Sequence, residues 1–567
     1  MSTEKAKTEN IFLELFLLIA LIALAYIFYR KEISVTDFIS TLSVKHLPSY
    51  ALRSLFRMTC AYLLALLFSV LYGFAAATSE RRARIMLPIL DIFQSVPILA
   101  FFPAAIFFFI AVIPSKFIGI EIAAIFLIFT SQVWNIAFGI YESLSTIPRN
   151  IAESYNFFDP QGRLRTRRLL FPAIIPKLVY NSMMSWTNGW YFLVACEIFA
   201  VGRASYRLPG LGSFIMETAT QSKISLTLLG ILVLVLIIIF VDLFIWKPLS
   251  QWSRRFRYDL SPGEEEEKSE VLEIVKAFWK IIGNILCKLK PLTGKIENNF
   301  SHILRITQNR IVHKCNVVFS KIMLIGIIAA VSYLVYLLAK GIPSIINEIT
   351  FLDLVATFKG LLFSFTRLLI AYLISLIWTL PVAITMFYHP RGAKIISPFI
   401  QIFASIPAVA IFPLFLYYFI RIPNGLNITA IILILTGMQW YLLFNIFGGL
   451  KAIPSDVKEV VDSFKPTRFL KFKRLLFPAS LPSLMTGTIT AWGGGWNALI
   501  IAEYISLQGK IYSVPGIGSI LNTSLNEDKK GIFIVALLIM VFAIFSINHF
   551  VYRPLYAKIS ERFTMEA

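Results

Sequence analysis

Charge is scarce in this chain: of 567 residues only 15% are Asp, Glu, Lys or Arg, 57% are hydrophobic, and mean hydropathy is +0.74. Acid is scarcer than base, with 32 Asp and Glu against 53 Lys and Arg, a net charge of +21. The basic residues cluster between apolar runs, which argues for membrane orientation and against a nucleic-acid surface. There are only four cysteines, at 60, 196, 287 and 315, without metal-ligand spacing, so neither a disulfide framework nor a metal site is indicated. The five histidines, at 46, 302, 313, 389 and 549, are scattered and form no Ser/His/Asp or Cys/His arrangement. No Gly-x-x-x-x-Gly-Lys-Ser/Thr occurs; Gly493-Gly494-Gly495 leads into Trp496-Asn497 and reads as close helix packing. The chain therefore carries no nucleotide-hydrolysis site of its own, and no enzyme activity is expected.

What the chain has is long apolar runs, each near the roughly 20 residues that cross a bilayer. A soluble core does not need them. The expected fold is all-α and polytopic, with about twelve transmembrane helices. Six fall near 11–29, 53–77, 88–113, 117–140, 178–202 and 225–247, and six near 319–339, 359–387, 396–420, 426–450, 484–507 and 531–552. The polar stretch Met1 to Asn10 leads into the first run without a small-residue cleavage signal, so that run is read as a span.

The second six spans repeat the first. Arg57, Ala61, Tyr62, Leu63, Ser95 and Pro97 return as Arg367, Ala371, Tyr372, Leu373, Ser405 and Pro407, 310 residues later. At an offset of 306, Ile147, Pro148, Glu153, Arg168, Phe171, Pro172 and Pro176 return as Ile453, Pro454, Glu459, Arg474, Phe477, Pro478 and Pro482. Trp186, Trp190, Glu197, Pro209, Gly210 and Gly212 return as Trp492, Trp496, Glu503, Pro515, Gly516 and Gly518. An even number of spans per half makes the repeats parallel, about an axis along the membrane normal. Residues 1–250 form a first unit, 251–318 a linker and 319–567 a second unit.

With the N-terminus inside, the inner loops hold about twice as many Lys and Arg as the outer ones. Both duplicated loops, 147–177 and 453–483, both termini and the basic linker then face the cytoplasm. The linker reads either as a tether or, over Val271 to Lys290, as a surface-lying amphipathic helix. In each loop a short helix, Ile151 to Phe158 in the first copy, precedes a turn and a basic second helix started by Pro160. Docking of a partner protein explains a duplication that keeps register as well as charge; contact with lipid head groups explains the charge alone.

These loops resemble the coupling loop of ABC-type importer permeases, whose pattern is Glu-Ala-Ala, a Gly four residues further on, and Leu-Pro at the end. The chain departs from it at Asp159 and Lys465, which stand at the Gly position and are each followed by Pro, and in lacking the Ala pair after Glu153 and Glu459. The flanks, Arg57-x-x-x-Ala61-Tyr62-Leu63, Ser95-x-Pro97 and Trp186 through Glu197, resemble the nitrate/sulfonate/taurine branch. The resemblance covers residues 50–250 and 360–555. It implies a type I permease fold, two units fused in one chain, a cell-membrane location and one pathway between the halves. It also implies two separate ATPase subunits carrying ATP and Mg, an extracytoplasmic solute-binding protein, and a small anionic solute such as nitrate, a sulfonate or taurine. The rival is a secondary transporter driven by an ion gradient, which also has parallel six-span halves but leaves the duplicated loops unexplained.

Ionisable residues inside a span are costly and need a partner or an aqueous path. Arg57 with Glu197, and Arg367 with Glu503, fall at similar depth near the outer end. They read as pairs locking the second and fifth spans, as anion attractors, or as snorkelling side chains. Ser95 and Pro97, and Ser405 and Pro407, read as kinked packing or as a gate in the third span. Trp190 and Trp496, with their neighbouring glycines, read as the crossing of the two halves or as pore lining.

Overall fold

The computed structural model describes residues 44–147, 169–198, 208–256 and 349–563, apart from single or paired gaps at 78, 96, 452, 454 and 508–509, together with Glu153. The expected spans 11–29 and 319–339, and the linker from residue 257 onward, lie outside the described residues.

The first half comprises α1 (Leu47–Ala77), α2 (Glu80–Ser95), α3 (Ile98–Val112), α4 (Lys116–Ser145), α5 (Phe171–Ile198), α6 (Leu211–Thr220), α7 (Ile224–Val241) and α8 (Lys247–Arg254). The second comprises α9 (Phe351–Tyr388), α10 (Pro390–Ser405), α11 (Ala408–Phe419), α12 (Gly425–Lys451), α13 (Ser455–Ser463), α14 (Arg468–Lys471) and α15 (Phe477–Ala502). It continues through β1 (Tyr504–Leu507), β2 (Lys510–Ser513), α16 (Ile517–Asn526), α17 (Lys530–Ile547) and α18 (Arg553–Phe563). Among the described residues the fold is all-α but for this antiparallel hairpin, in which Tyr504 pairs with Ser513 and Leu507 with Lys510.

The repeat is visible in backbone detail. Ser222 and Asp528, 306 apart, both take left-handed φ, 56° and 57°, at the corners entering α7 and α17. Short π-helical turns follow these two spans at Asp242–Trp246 and Asn548–Tyr552, again in register. Each π turn rotates the last aromatic inward. Trp246 meets Tyr62 and Trp186, and Tyr552 meets Trp492, which itself meets Tyr372.

Six described helices are long and apolar enough to cross a membrane, and α10 with α11 makes a seventh if that bent pair is one span. One expectation needs correction. The third span is broken where a Pro kink was expected. Pro97 and Pro407 are extended, at φ −62° and −63°, and start new helices; α10 and α11 meet at 79°. A proline that bars the preceding residue from helical geometry gives a clean stop. The fifth helices, α5 and α15, have 28 and 26 residues but are not among the six apolar ones. They are enclosed by protein, so packing and not lipid sets their composition.

The halves interlock reciprocally. The fifth helix of each packs on the second limb of the other's broken span, α5 on α11 and α15 on α3. The sixth span of each packs on the first limb, α7 on α10 and α17 on α2. One apolar core runs through both halves.

Candidate functional site

At the end of the bundle that carries the hairpin, each half seats one carboxylate. Glu197 is fully buried; its Oε1 accepts from Ser54 Oγ and Arg57 Nη1, both at 2.7 Å, and its Oε2 from the Gly212 N–H at 2.7 Å. Glu503 repeats this with Ser364 Oγ at 2.7 Å, Arg367 Nη1 at 2.7 Å and the Gly518 N–H at 2.8 Å. The serines complete the circuit by accepting the N–H groups of Leu211 and Ile517, each at 2.9 Å. Each carboxylate thus caps the N-terminus of a buried helix, α6 or α16, where orphan N–H groups and the helix dipole favour negative charge. A side chain at Gly210 or Gly516 would collide with the carboxylate, so these glycines are there for close approach. The repeated Pro-Gly-x-Gly segments, Pro209 to Gly212 and Pro515 to Gly518, are this seat.

The two seats differ in one residue. In the first half Arg57 also holds Glu121, Nε to Oε2 at 2.6 Å, and donates Nη2 to the Pro209 carbonyl at 2.9 Å. In the second, Asn427 stands 306 residues after Glu121, and its Oδ1 accepts from Arg367 Nε at 3.0 Å. Arg57 is wholly buried, out of reach of any head group. The pairs tie the second and fifth spans, and the fourth joins in both halves, through the charged Glu121 in the first and the neutral Asn427 in the second.

The tryptophans correct the crossing expected of them. Trp186 packs on Tyr62, Trp190 and Trp246, all in its own half, and Trp492 on Phe365 and Tyr372 in its own. Trp190 and Trp496 are buried. The crossing is made instead by polar residues that the sequence reading did not single out. Tyr441 on α12 donates its hydroxyl to Asn188 Oδ1 on α5 at 3.1 Å. Asn497 on α15 accepts the Ile98 N–H at 2.7 Å, capping the first turn of α3 just after the break at Pro97. Gln401 and Asp242 meet at 3.4 Å nearer the opposite end. Gly494 and Gly495 pack closely on α12, as the run of glycines suggested, and Gly493 borders open space.

At the opposite end the second duplicated loop is a helix–turn–helix. α13 ends in a turn in which Lys465 takes left-handed φ of 46°; Thr467 caps α14, which passes through a π turn into α15. Lys465 occupies the position where the permease pattern has Gly, and left-handed φ is what Gly supplies there. Pro466 precedes the cap, so it sets the turn and not the first helical turn. Asp462 and Lys471 pair across the loop, and Lys458 lies over Phe387. Burial, then the charge of Lys471, lowers the pKa of Lys458. Glu459 is exposed, and Ile453, Leu475 and Leu476 are buried at the loop's root. Phe464 and Phe469 project, 79% and 72% exposed. In the first copy Glu153 is exposed, Leu169 is buried and Phe171 is 48% exposed. Pro148, Arg168 and the first loop's helices lie outside the described residues, as do the Ser95 side chain and Pro454.

A family model described as "Binding-protein-dependent transport system inner membrane component" matches residues 65–245 and again 379–555. The chain belongs to that family. It holds two permease units in one polypeptide. Among similar proteins is the taurine transport system permease protein TauC of Escherichia coli, 26% identical over 177 residues, 31% of this chain and 62% of that protein. The nitrate import permease protein NrtB of Synechococcus elongatus is 28% identical over 165 residues, 28% of this chain and 58% of that one. The bicarbonate transport system permease protein CmpB of the same organism is 28% identical over 159 residues, 27% and 56% of the two chains. In each case the matched stretch spans less than two thirds of the relative.

Within this permease family frame, the residues divide by depth. Arg57, Arg367, Glu197 and Glu503 tie spans together at one end. Asn188, Tyr441 and Asn497 join the halves in the middle, and the duplicated loops stand at the other end. Ser54 and Ser364, 310 apart, could have been found from the repeat. Asn188 and Tyr441 could not, because their repeat partners are Gly494 and Asn135.

Proposed function

We propose that this chain is the transmembrane permease subunit of an ATP-driven ABC importer, its two halves forming one pathway at their interface. The loop-bearing end faces the cytoplasm, as the basic residues argue. Loops 147–177 and 453–483 each seat one ATPase subunit, which carries the ATP and Mg. A solute-binding protein delivers its ligand at the hairpin-bearing end. The solute is a small anion of the nitrate, sulfonate, taurine or bicarbonate kind, in line with the printed roles of the relatives.

The observation that carries this reading is the second loop. It exposes Phe464 and Phe469 beside Lys465 and Arg468 on a short helix pair braced by the Asp462–Lys471 bridge. Large exposed aromatics on a polar loop need a partner groove, and a helix seated in such a groove transmits rigid-body motion. The decisive test is affinity purification of the chain in mild detergent with quantification of what accompanies it. Two copies of an ATPase per chain are expected. A chain that purifies alone after gentle crosslinking overturns the reading.

A further inference from the structure

The two halves are alike in fold but not at their meeting point, and the difference leaves hydrogen-bond donors pointing nowhere. Tyr441 fixes the Asn188 amide by occupying its oxygen, and no described residue accepts either N–H of Asn188 Nδ2. Tyr191 lies three residues on, hence on the same helix face. Its hydroxyl is buried and has no hydrogen-bond partner among the described residues. Tyr191 and Tyr441 are close enough to interact electrostatically. A buried hydroxyl left unpaired is costly, and a ligand that accepts from it removes that cost.

Across the junction the wall is smooth. A side chain at Gly493 would meet nothing within 4 Å. Asn497, one turn further along the same face, is partly spent: Oδ1 takes the Ile98 N–H at 2.7 Å, and one of the two Nδ2 N–H groups goes to the Gly493 carbonyl at 2.9 Å. The repeat counterparts of Asn188 and Tyr191 are Gly494 and Asn497. The spare donors are therefore unequal, an amide pair and a phenol on one side against a single amide N–H on the other, an asymmetry that two identical subunits cannot have. Neither a carboxylate nor a basic side chain belongs to this group, because Glu197 and Glu503 are locked in their seats.

We propose that this mid-helix junction is a solute-binding site in the pathway. Asn188 and Tyr191 donate hydrogen bonds to a small oxyanion, and Tyr441 and the open flank of Gly493 form the facing wall. The site rests on the permease reading and adds to it a recognition chemistry. Two amide N–H groups and a phenol, with no carboxylate among them, favour an acceptor-rich ligand. The lack of a cationic side chain keeps the anion weakly enough held to leave, as a pathway site requires.

The test uses the whole transporter, this chain with its ATPase and binding protein, in proteoliposomes. ATP-driven uptake of labelled nitrate, taurine and bicarbonate is measured at saturating solute, together with the uptake ratio of two of these ions in competition. Tyr191→Phe removes only the hydroxyl and should slow uptake about tenfold, the effect of one lost hydrogen bond to a charged group. Asn188→Leu should slow it similarly. Asn188→Asp, similar in shape but negative, should abolish it. The competition ratio should shift in Tyr191→Phe, whereas a packing defect slows all ions alike. Wild-type rates in Tyr191→Phe and Asn188→Asp, or slowed uptake with an unmoved ratio, overturn the site and leave the permease reading standing. A wild-type complex that imports an uncharged solute and none of the three anions overturns the oxyanion class and the anion reading together.

Discussion

Asn181 fills the space in front of Gly139, so closely that any side chain at Gly139 would strike its amide. One repeat later the roles are exchanged: Asn445 stands where Gly139 would recur, and it fills the space in front of Gly487, the counterpart of Asn181. Each Asn also satisfies its amide on its own helix, Asn181 on the Lys177 carbonyl at 2.9 Å and Asn445 on that of Tyr441 at 2.8 Å. The fourth and fifth helices of each half thus cross through one Gly–Asn contact, placed on opposite helices in the two halves.

This exchange predicts a strong coupling between the two positions. Gly139→Asn alone should destabilise the first half by about 1–3 kcal/mol through overpacking. Adding Asn181→Gly, which copies the arrangement of the second half, should recover most of the loss. Thermal unfolding of the detergent-solubilised chain measures both. Additive losses in the double variant would refute the contact.

The carboxylate seats predict unequal sensitivity. Arg57→Gln leaves two buried carboxylates, Glu197 and Glu121, without their cation, whereas Arg367→Gln leaves only Glu503. Breaking a buried pair costs about 3–5 kcal/mol, and the first variant should lie above the second within or beyond that range. Expression yield and unfolding temperature should fall further for Arg57→Gln. Equal losses would count against the difference made by Glu121 and Asn427.

Gly210→Ala and Gly516→Ala should unseat Glu197 and Glu503, since backbone and carboxylate leave no room for a methyl group. Each should cost as much as losing the Glu side chain itself. Glu197→Ala combined with Gly210→Ala should then be little worse than either alone, read by unfolding temperature.

The second loop predicts a separation of folding from partner binding. Phe464 and Phe469 touch little of this chain, so Phe464→Ala and Phe469→Ala should leave its unfolding temperature unchanged. If the loop seats an ATPase, each should weaken retention of that subunit by about 30-fold, the effect of a 2 kcal/mol interface anchor. Co-purification at unchanged ratio would show that the two phenylalanines are not the anchor.

Lys465 should tolerate glycine. Its left-handed φ of 46° is strained for a side chain bearing Cβ, and Lys465→Gly should stabilise the turn by about 1 kcal/mol. Resistance of the loop to limited proteolysis should rise. A fall would mean that the Lys465 side chain holds the turn.

Much of the fold was legible because a bilayer imposes a coarse rule. Apolar length marks spans, basic residues mark loops, and a second copy of both marks the duplication. The fifth helices were read from their apolar runs although they fall short of the six most apolar helices. The break at Pro97 and Pro407 was seen only as a kink, since proline marks where a helix stops without saying whether the next one continues its axis. The hairpin Tyr504–Ser513 carried no signal strong enough to stand out beside its membrane neighbours.

By itself the sequence determined the membrane setting, the parallel halves and the loops at one end, because each follows from periodicity, charge or repetition along the chain. It also fixed which residues are doubled. The tertiary structure decided who meets whom. It set Glu197 and Glu503 on the N-termini of buried helices, turned the tryptophans inward and gave the crossing to Asn188, Tyr441 and Asn497. Those contacts join residues as far as 399 apart, and the asymmetric ones break the repeat. No local pattern carries such a contact, because its energy exists only after both helices are packed.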